Sequence, residues 1–191
     1  MFTRENEYDP IVAEAGKAWE VEPALIKAII GAESEFTPTA YRAEPRLGDA
    51  SYGLMQLLYA TAKLLGYTGS TAGLYDPTTN IRLGTRYLRD LIKTAGARGY
   101  GVDSAISAYN AGFSTVRPGD GKRTTNAAGS PFINQGYVDK VLRLAAYFKR
   151  GAHQLDTVTV FAQPVENVSL FSLVSFAIPI LALLLVSKRH R

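Results

Sequence analysis

Glu33 lies three, four and seven residues beyond Ile30, Ile29 and Ile26, so on a helix it continues their apolar face. Thr37-Pro38 follows, and the residue before a proline avoids the helical region, so that helix must end close to the glutamate. Partial desolvation disfavours the carboxylate there, and the negative end of the helix acts in the same direction. A carboxyl group that holds its proton towards neutral pH is what general acid catalysis requires. Glu35 points to another side and should stay in water. The competing reading is an end-of-helix glutamate bonded to backbone or to an arginine. Geometry alone favours that one.

The elements that must carry this group read as helices. Asp9-Pro10 forms an N-cap and first-turn pair, followed by apolar Ile11, Val12, Ala15, Ala18 and Trp19. Glu22-Pro23 opens the helix of Leu25, Ile26, Ile29 and Ile30. A third runs from Gly53 to Leu65, closed by Gly66. Asp76-Pro77 starts a fourth with Ile81, Leu88, Leu91 and Ile92 inward, and Asp103 caps a short fifth through Ala105, Ile106 and Tyr109. The last carries Val138, Val141, Leu142, Ala145 and Phe148. No strand alternation is long enough for a large sheet, although a two-stranded ribbon near 111–135, otherwise a long loop, is compatible with the sequence.

The chain has no cysteine, so disulfides and thiolate metal sites are excluded. His153 and His190 are its two histidines and lie away from the motif-rich region, which argues against a metal site or a Ser-His triad. The net charge of +4 is misleading. Residues 168–191 hold Lys188, Arg189 and Arg191 and no acid, which leaves 18 basic and 17 acidic residues in 1–167. Such a balance is no footprint for nucleic acid.

The stretch Ala24-Leu25-Ile26-Lys27-Ala28-Ile29-Ile30-Gly31-Ala32-Glu33-Ser34-Glu35-Phe36-Thr37-Pro38 resembles the catalytic-glutamate segment of soluble-type lytic transglycosylases, with Glu33-Ser34 as the family's Glu-Ser step. Gly53-Leu54-Met55-Gln56 with Thr61-Ala62 is similar to the second motif. Asp76-Pro77, Asn80-Ile81, Gly84 and Tyr87-Leu88 are similar to the third, and Ala108-Tyr109-Asn110-Ala111-Gly112 to the fourth. Tyr137-Val138 with Val141 is similar to the last. The likeness covers residues 10 to 148 with all five segments in order. Two departures stand out. Arg46-Leu47-Gly48-Asp49-Ala50-Ser51-Tyr52 occupies the place of a family serine, with Ser51 as a candidate for it, and Leu58-Tyr59 stands where a proline is common.

The resemblance implies a mainly α, lysozyme-like domain over 1–150. It also implies cleavage of peptidoglycan glycan strands with 1,6-anhydro-muramoyl ends, without a metal or other cofactor. Glu33 would be the acid and then the base, with the substrate's own N-acetyl carbonyl in place of a second carboxylate. Gln56 offers a donor and an acceptor to sugar amides and hydroxyls. Met55 is either an adaptable wall or core, and Tyr109 brings its hydroxyl near Glu33 or the N-acetyl group. Asn110 ties its helix end or contacts sugar, and Ser34 orients Glu33 or satisfies the helix end. Asp49 is the carboxylate that could activate water and turn the enzyme into a hydrolase, but Gly48-Asp49 equally makes a solvated turn, the reading adopted. A non-catalytic wall-binding component is the alternative from another class.

Residues 151–167 read as a polar linker, and Val168 to Val186 contains no charge over 19 residues. That length suits a bilayer core, so 168–187 is expected to be a single transmembrane helix, with 188–191 as a basic cytoplasmic tail. The first residues, Met1-Phe2-Thr3-Arg4-Glu5-Asn6-Glu7, do not read as a secretory signal. The combination suggests a membrane-anchored protein delivered with a phage virion, with other virion or ejection proteins as partners. A host cytoplasmic membrane protein facing the periplasm is the alternative.

Overall fold

The computed structural model describes residues 2–116 and 132–161, the last ten of these as helical backbone only. Six helices and a small sheet follow one another among the described residues: α1 Asp9–Trp19, α2 Pro23–Glu33, β1 Tyr41–Glu44, β2 Asp49–Tyr52, β3 Leu57–Leu58, α3 Tyr59–Leu64, α4 Pro77–Ala97, α5 Val102–Ala111 and α6 Gln135–Phe161. The compact unit is Met1–Ala152.

The apolar face of α2 is the centre of the core. Ile26, Ile29 and Ile30 are fully buried with Leu54, Met55, Ile81, Leu88 and Ile106, against Val138, Val141 and Phe148 of α6. α4 is the long strut, packed on α1 and α5, and Asp76 starts it by accepting the Thr79 N–H at 2.8 Å. Asp9 does not cap α1 as its type suggested. It lies in the first turn and pairs with Lys27 of α2 at 2.6 Å.

The helix expected over 53–65 is shorter, α3 alone, because residues 53–58 do other work. Gly53 has φ +71° and Gln56 φ +45°, a left-handed backbone that no α-helix accommodates. A Cβ on Gly53 would meet Leu74 O at 2.5 Å and Asn80 Nδ2 at 2.6 Å, so only glycine fits. The turn delivers β3 to an antiparallel sheet of order β1-β2-β3, with Tyr41 opposite Tyr52, Arg42 opposite Ser51 and Glu44 opposite Asp49. Among the described residues the sheet lies at 41–58; most of the 111–135 stretch, residues 117–131, lies outside them. Four-residue strands are too short for alternation to announce them.

Buried Asn80 clamps this turn. Its Oδ1 accepts the Met55 N–H at 2.8 Å, and its Nδ2 donates to Tyr52 O and Leu74 O, both at 2.8 Å. Asp49 is likewise engaged, not a solvated turn residue: Oδ1 accepts the Ala50 N–H at 2.7 Å and Oδ2 the Ala60 N–H in the first turn of α3 at 2.9 Å.

The expected membrane helix needs correction. Among the described residues no helix is long and apolar enough to cross a membrane. α6 has the length, but Asp139, Lys140, Arg143, Lys149 and Arg150 interrupt it, and it runs to Phe161 through the start of the expected linker. The segment 168–187 and its basic tail lie outside the described residues.

Asn80→Ala should leave one buried N–H and two carbonyls without partners. At about 1–3 kcal/mol per unsatisfied group, the variant should lose about 3 kcal/mol or more in chemical denaturation. Parental stability would mean that the turn is held by other contacts.

Candidate active site

Glu33 is the last residue of α2, half-buried at the end of the isoleucine face. The chain reverses directly behind it: Glu35 and Phe36 have φ of 52° and 64°, and two turns, Thr37 N–H to Ser34 O and Ala40 N–H to Thr37 O, lead into β1. Phe36 is fully buried, its ring 5.2 Å from Phe2 and 5.9 Å from Phe148, and this burial holds the strained pair in place. Glu35 is exposed.

The hydroxyl of Tyr137, in the first turn of α6, donates to Glu33 Oε1 at 2.6 Å. Burial pushes the Glu33 carboxyl above its ordinary value. The Tyr137 hydrogen bond and the charges of Arg42 and Lys140 oppose that rise, and Glu44 adds to it. Burial and the Glu33 charge push the Tyr137 and Tyr109 hydroxyls far up, so both remain neutral donors.

The other expected site residues divide. Tyr109 donates to the Met55 carbonyl oxygen at 2.9 Å, lies 5.3 Å from the Tyr87 ring, and is close enough to Glu33 to feel its charge. Gln56 Nε2 donates to Ala40 O at 3.1 Å and Gly53 O at 3.0 Å, which commits its donor edge to the backbone and leaves the amide oxygen as acceptor. The Met55 side chain is core: it is fully buried, with Sδ 4.0 Å from Thr85 Oγ1. Buried Ser34 donates to Leu54 O at 2.7 Å and ties the end of α2 to the Gly53 turn, away from the carboxyl. Asn110 is exposed and accepts from Asn134 at 3.0 Å, joining the end of α5 to the approach to α6.

Sequence reasoning placed Tyr137 in the last motif without a role, and it is the direct partner of Glu33. Its signal was an aromatic with a hydroxyl at the start of the last helix, 104 residues away. Lys140, Arg42 and Glu44 were also missed. Arg42 Nε bonds Glu44 Oε1 at 2.6 Å, and Ser51 Oγ donates to the same oxygen at 3.2 Å. These three share the polar face of the β1–β2 ribbon. Among the described residues no group of three or more His, Asp and Glu could hold a metal ion.

In this helical domain one half-buried carboxyl group accepts the Tyr137 hydroxyl and lies close enough to Tyr109 to act on its hydroxyl. The chain belongs to the Transglycosylase SLT domain family, whose profile matches residues 10–130. Over 127 residues it is 36% identical to the membrane-bound lytic murein transglycosylase C of Yersinia enterocolitica, a match covering 59% of this chain and 33% of that protein. The chain thus spans about a third of the length of the curated relatives it matches. The lytic transglycosylase Slt of Pseudomonas aeruginosa superposes with a TM-score of 0.62 at 26% identity, covering 80% of this chain and 25% of that one. The 70 kDa soluble lytic transglycosylase of Escherichia coli gives 0.61 at 29%, covering 76% and 24%. The lysozyme-like helical fold is therefore correct. The expected localisation, a virion or host-membrane protein anchored by 168–187, needs correction: among the described residues no helix is long and apolar enough to cross a membrane, and the relatives that the chain resembles are bacterial enzymes.

Because the folded pKa of Glu33 is raised, the group contributes stability below the ordinary carboxylate value. That contribution is lost as pH climbs through the raised value. Glu33→Gln should therefore melt above the parent at about pH 8, with the gap closing by about pH 3. A pH-independent gap would place the carboxyl in water.

Proposed function

We propose that this domain cleaves the glycosidic bond between N-acetylmuramic acid and N-acetylglucosamine in peptidoglycan, without water, leaving 1,6-anhydro-muramoyl ends. The observation that carries the reading is one enclosed carboxyl, Glu33, raised by burial and oriented by the Tyr137 hydroxyl at 2.6 Å. Membership of the family and the relatives' names, lytic murein transglycosylases, support the same chemistry.

Glu33 gives its proton to the glycosidic oxygen as the bond to the muramoyl anomeric carbon breaks. The muramoyl N-acetyl carbonyl oxygen closes on that carbon and shares the positive charge. The Glu33 carboxylate then takes the proton of the C6 hydroxyl. Its oxygen attacks the anomeric carbon, displaces the carbonyl and closes the anhydro ring. Proton and electron pairs balance, and the glutamate ends as it began. Tyr137 keeps the carboxyl pointed at one place through both steps, and the free amide oxygen of Gln56 accepts a sugar hydroxyl or N-acetyl N–H.

The hydrolytic alternative needs a second carboxylate to activate water. Asp49 spends both oxygens on backbone N–H groups, and Glu44, whose charge reaches Glu33, is paired with Arg42 and Ser51. Neither is placed as a free base. A wall-binding role without catalysis would leave the burial of Glu33 without a use.

Digestion of purified sacculi followed by mass analysis tests the reading. The parent should release anhydro-muropeptides, and Glu33→Gln should be slower by about 10²–10⁴-fold, the usual worth of a general acid or base. Reducing ends in the parent digest would favour the hydrolase. An undiminished rate in Glu33→Gln would reject the mechanism.

A further inference from the structure

Lys140 sits three residues after Tyr137, on the same side of α6. Its Nζ donates to the carbonyl oxygen of Ala32 at 3.0 Å, one residue before Glu33. That carbonyl is among the last four of α2, which an α-helix leaves without intrahelical partners and which carry the negative end of its dipole. Among the described residues Lys140 has no carboxylate within ion-pair distance. Its charge is spent on the helix end beside Glu33. Arg42, the other cation felt by the carboxyl, is already bonded to Glu44.

The groups that face Glu33 are Tyr137 and Lys140 from α6, Arg42 and Glu44 from β1, and Tyr109 from α5. Burial, Glu44 and the end of α2 all favour the protonated carboxyl. An acid that can never let go cannot return as the base for the second proton transfer. We propose that Lys140 is a positioning residue for this step: through Ala32 it locks α6 and its Tyr137 onto the last turn of α2, and together with Arg42 it supplies the positive charge that lets Glu33 release its proton. The inference rests on the acid/base role of Glu33 and deepens it, because it assigns the control of that group's proton to a side chain that need not touch the glycan.

The test uses the whole chain with glutamate carboxyl carbons labelled for NMR titration, alongside the pH profile of kcat/KM on peptidoglycan. Lys140→Met removes both charge and hydrogen bond, Lys140→Gln removes the charge and keeps a donor, and Lys140→Arg keeps the charge. In the Met and Gln variants the Glu33 titration and the alkaline limb of the profile should both move to higher pH, with KM near the parent's. In Lys140→Arg both should return to the parental position. A slower enzyme whose Glu33 titration has not moved in either neutral variant would overturn the proposal and leave Lys140 a packing residue. If Lys140→Met fails to fold, the Gln and Arg pair carries the same comparison. Failure of the mechanism itself reads differently: Glu33→Gln would then keep its activity, while the titration still reports on Lys140.

Discussion

One hydrogen bond organises the domain. Tyr137 meets Glu33 across 104 residues of sequence, and this contact forms only if α6 lies against the end of α2. Almost every element contributes to that placement. The isoleucine face of α2 anchors in the core with Val138 and Val141 of α6, one and four residues beyond the tyrosine. Farther along α6, Phe148 meets Phe36, and Tyr147 donates to buried Glu5 at 3.0 Å, so the N-terminal residues hold the same helix from outside. A carboxyl held in apolar surroundings needs such fixity. A loose partner would leave it either unpaired or drawn back into water.

Several residues that resemble a catalytic set turn out to serve the backbone. Ser34, Asn80, Tyr109 and Gln56 all direct hydrogen bonds at the stretch Tyr52 to Met55 or its immediate neighbours. The reason is conformational. Left-handed Gly53 and Gln56 break the regular backbone pattern, and the peptide groups between them find partners in side chains. The turn is thereby tied through Leu54 to Ser34, the residue directly after Glu33.

The charges around Glu33 are arranged to moderate a strong effect. Burial raises the carboxyl, and two cations with one phenol pull it part of the way back. The second carboxylate in reach, Glu44, is tied to Arg42 on the ribbon, so under the proposed reaction Glu33 alone would transfer protons. This fits a reaction in which the substrate provides its own nucleophiles.

Much of the fold was legible because helices announce themselves through period and caps. Glu33 on the Ile26, Ile29 and Ile30 face, the Asp76-Pro77 start of α4 and the Pro23 start of α2 all follow from local chemistry. The small sheet was not legible, since four-residue strands carry too few alternations, and neither was the helical backbone of 151–161, whose composition resembled a linker. Sequence by itself determined that one glutamate would end an apolar helix and lose water. Tertiary structure alone decided what faces it: Tyr137 and Lys140 come from the far end of the domain, the Arg42–Glu44 pair is turned back towards it on the next strand, and Asp49 is consumed in holding α3. The physical reason is range. Helix propensity and amphipathicity act within a few turns, whereas the proton affinity of a carboxyl depends on whichever charges and dipoles folding brings beside it.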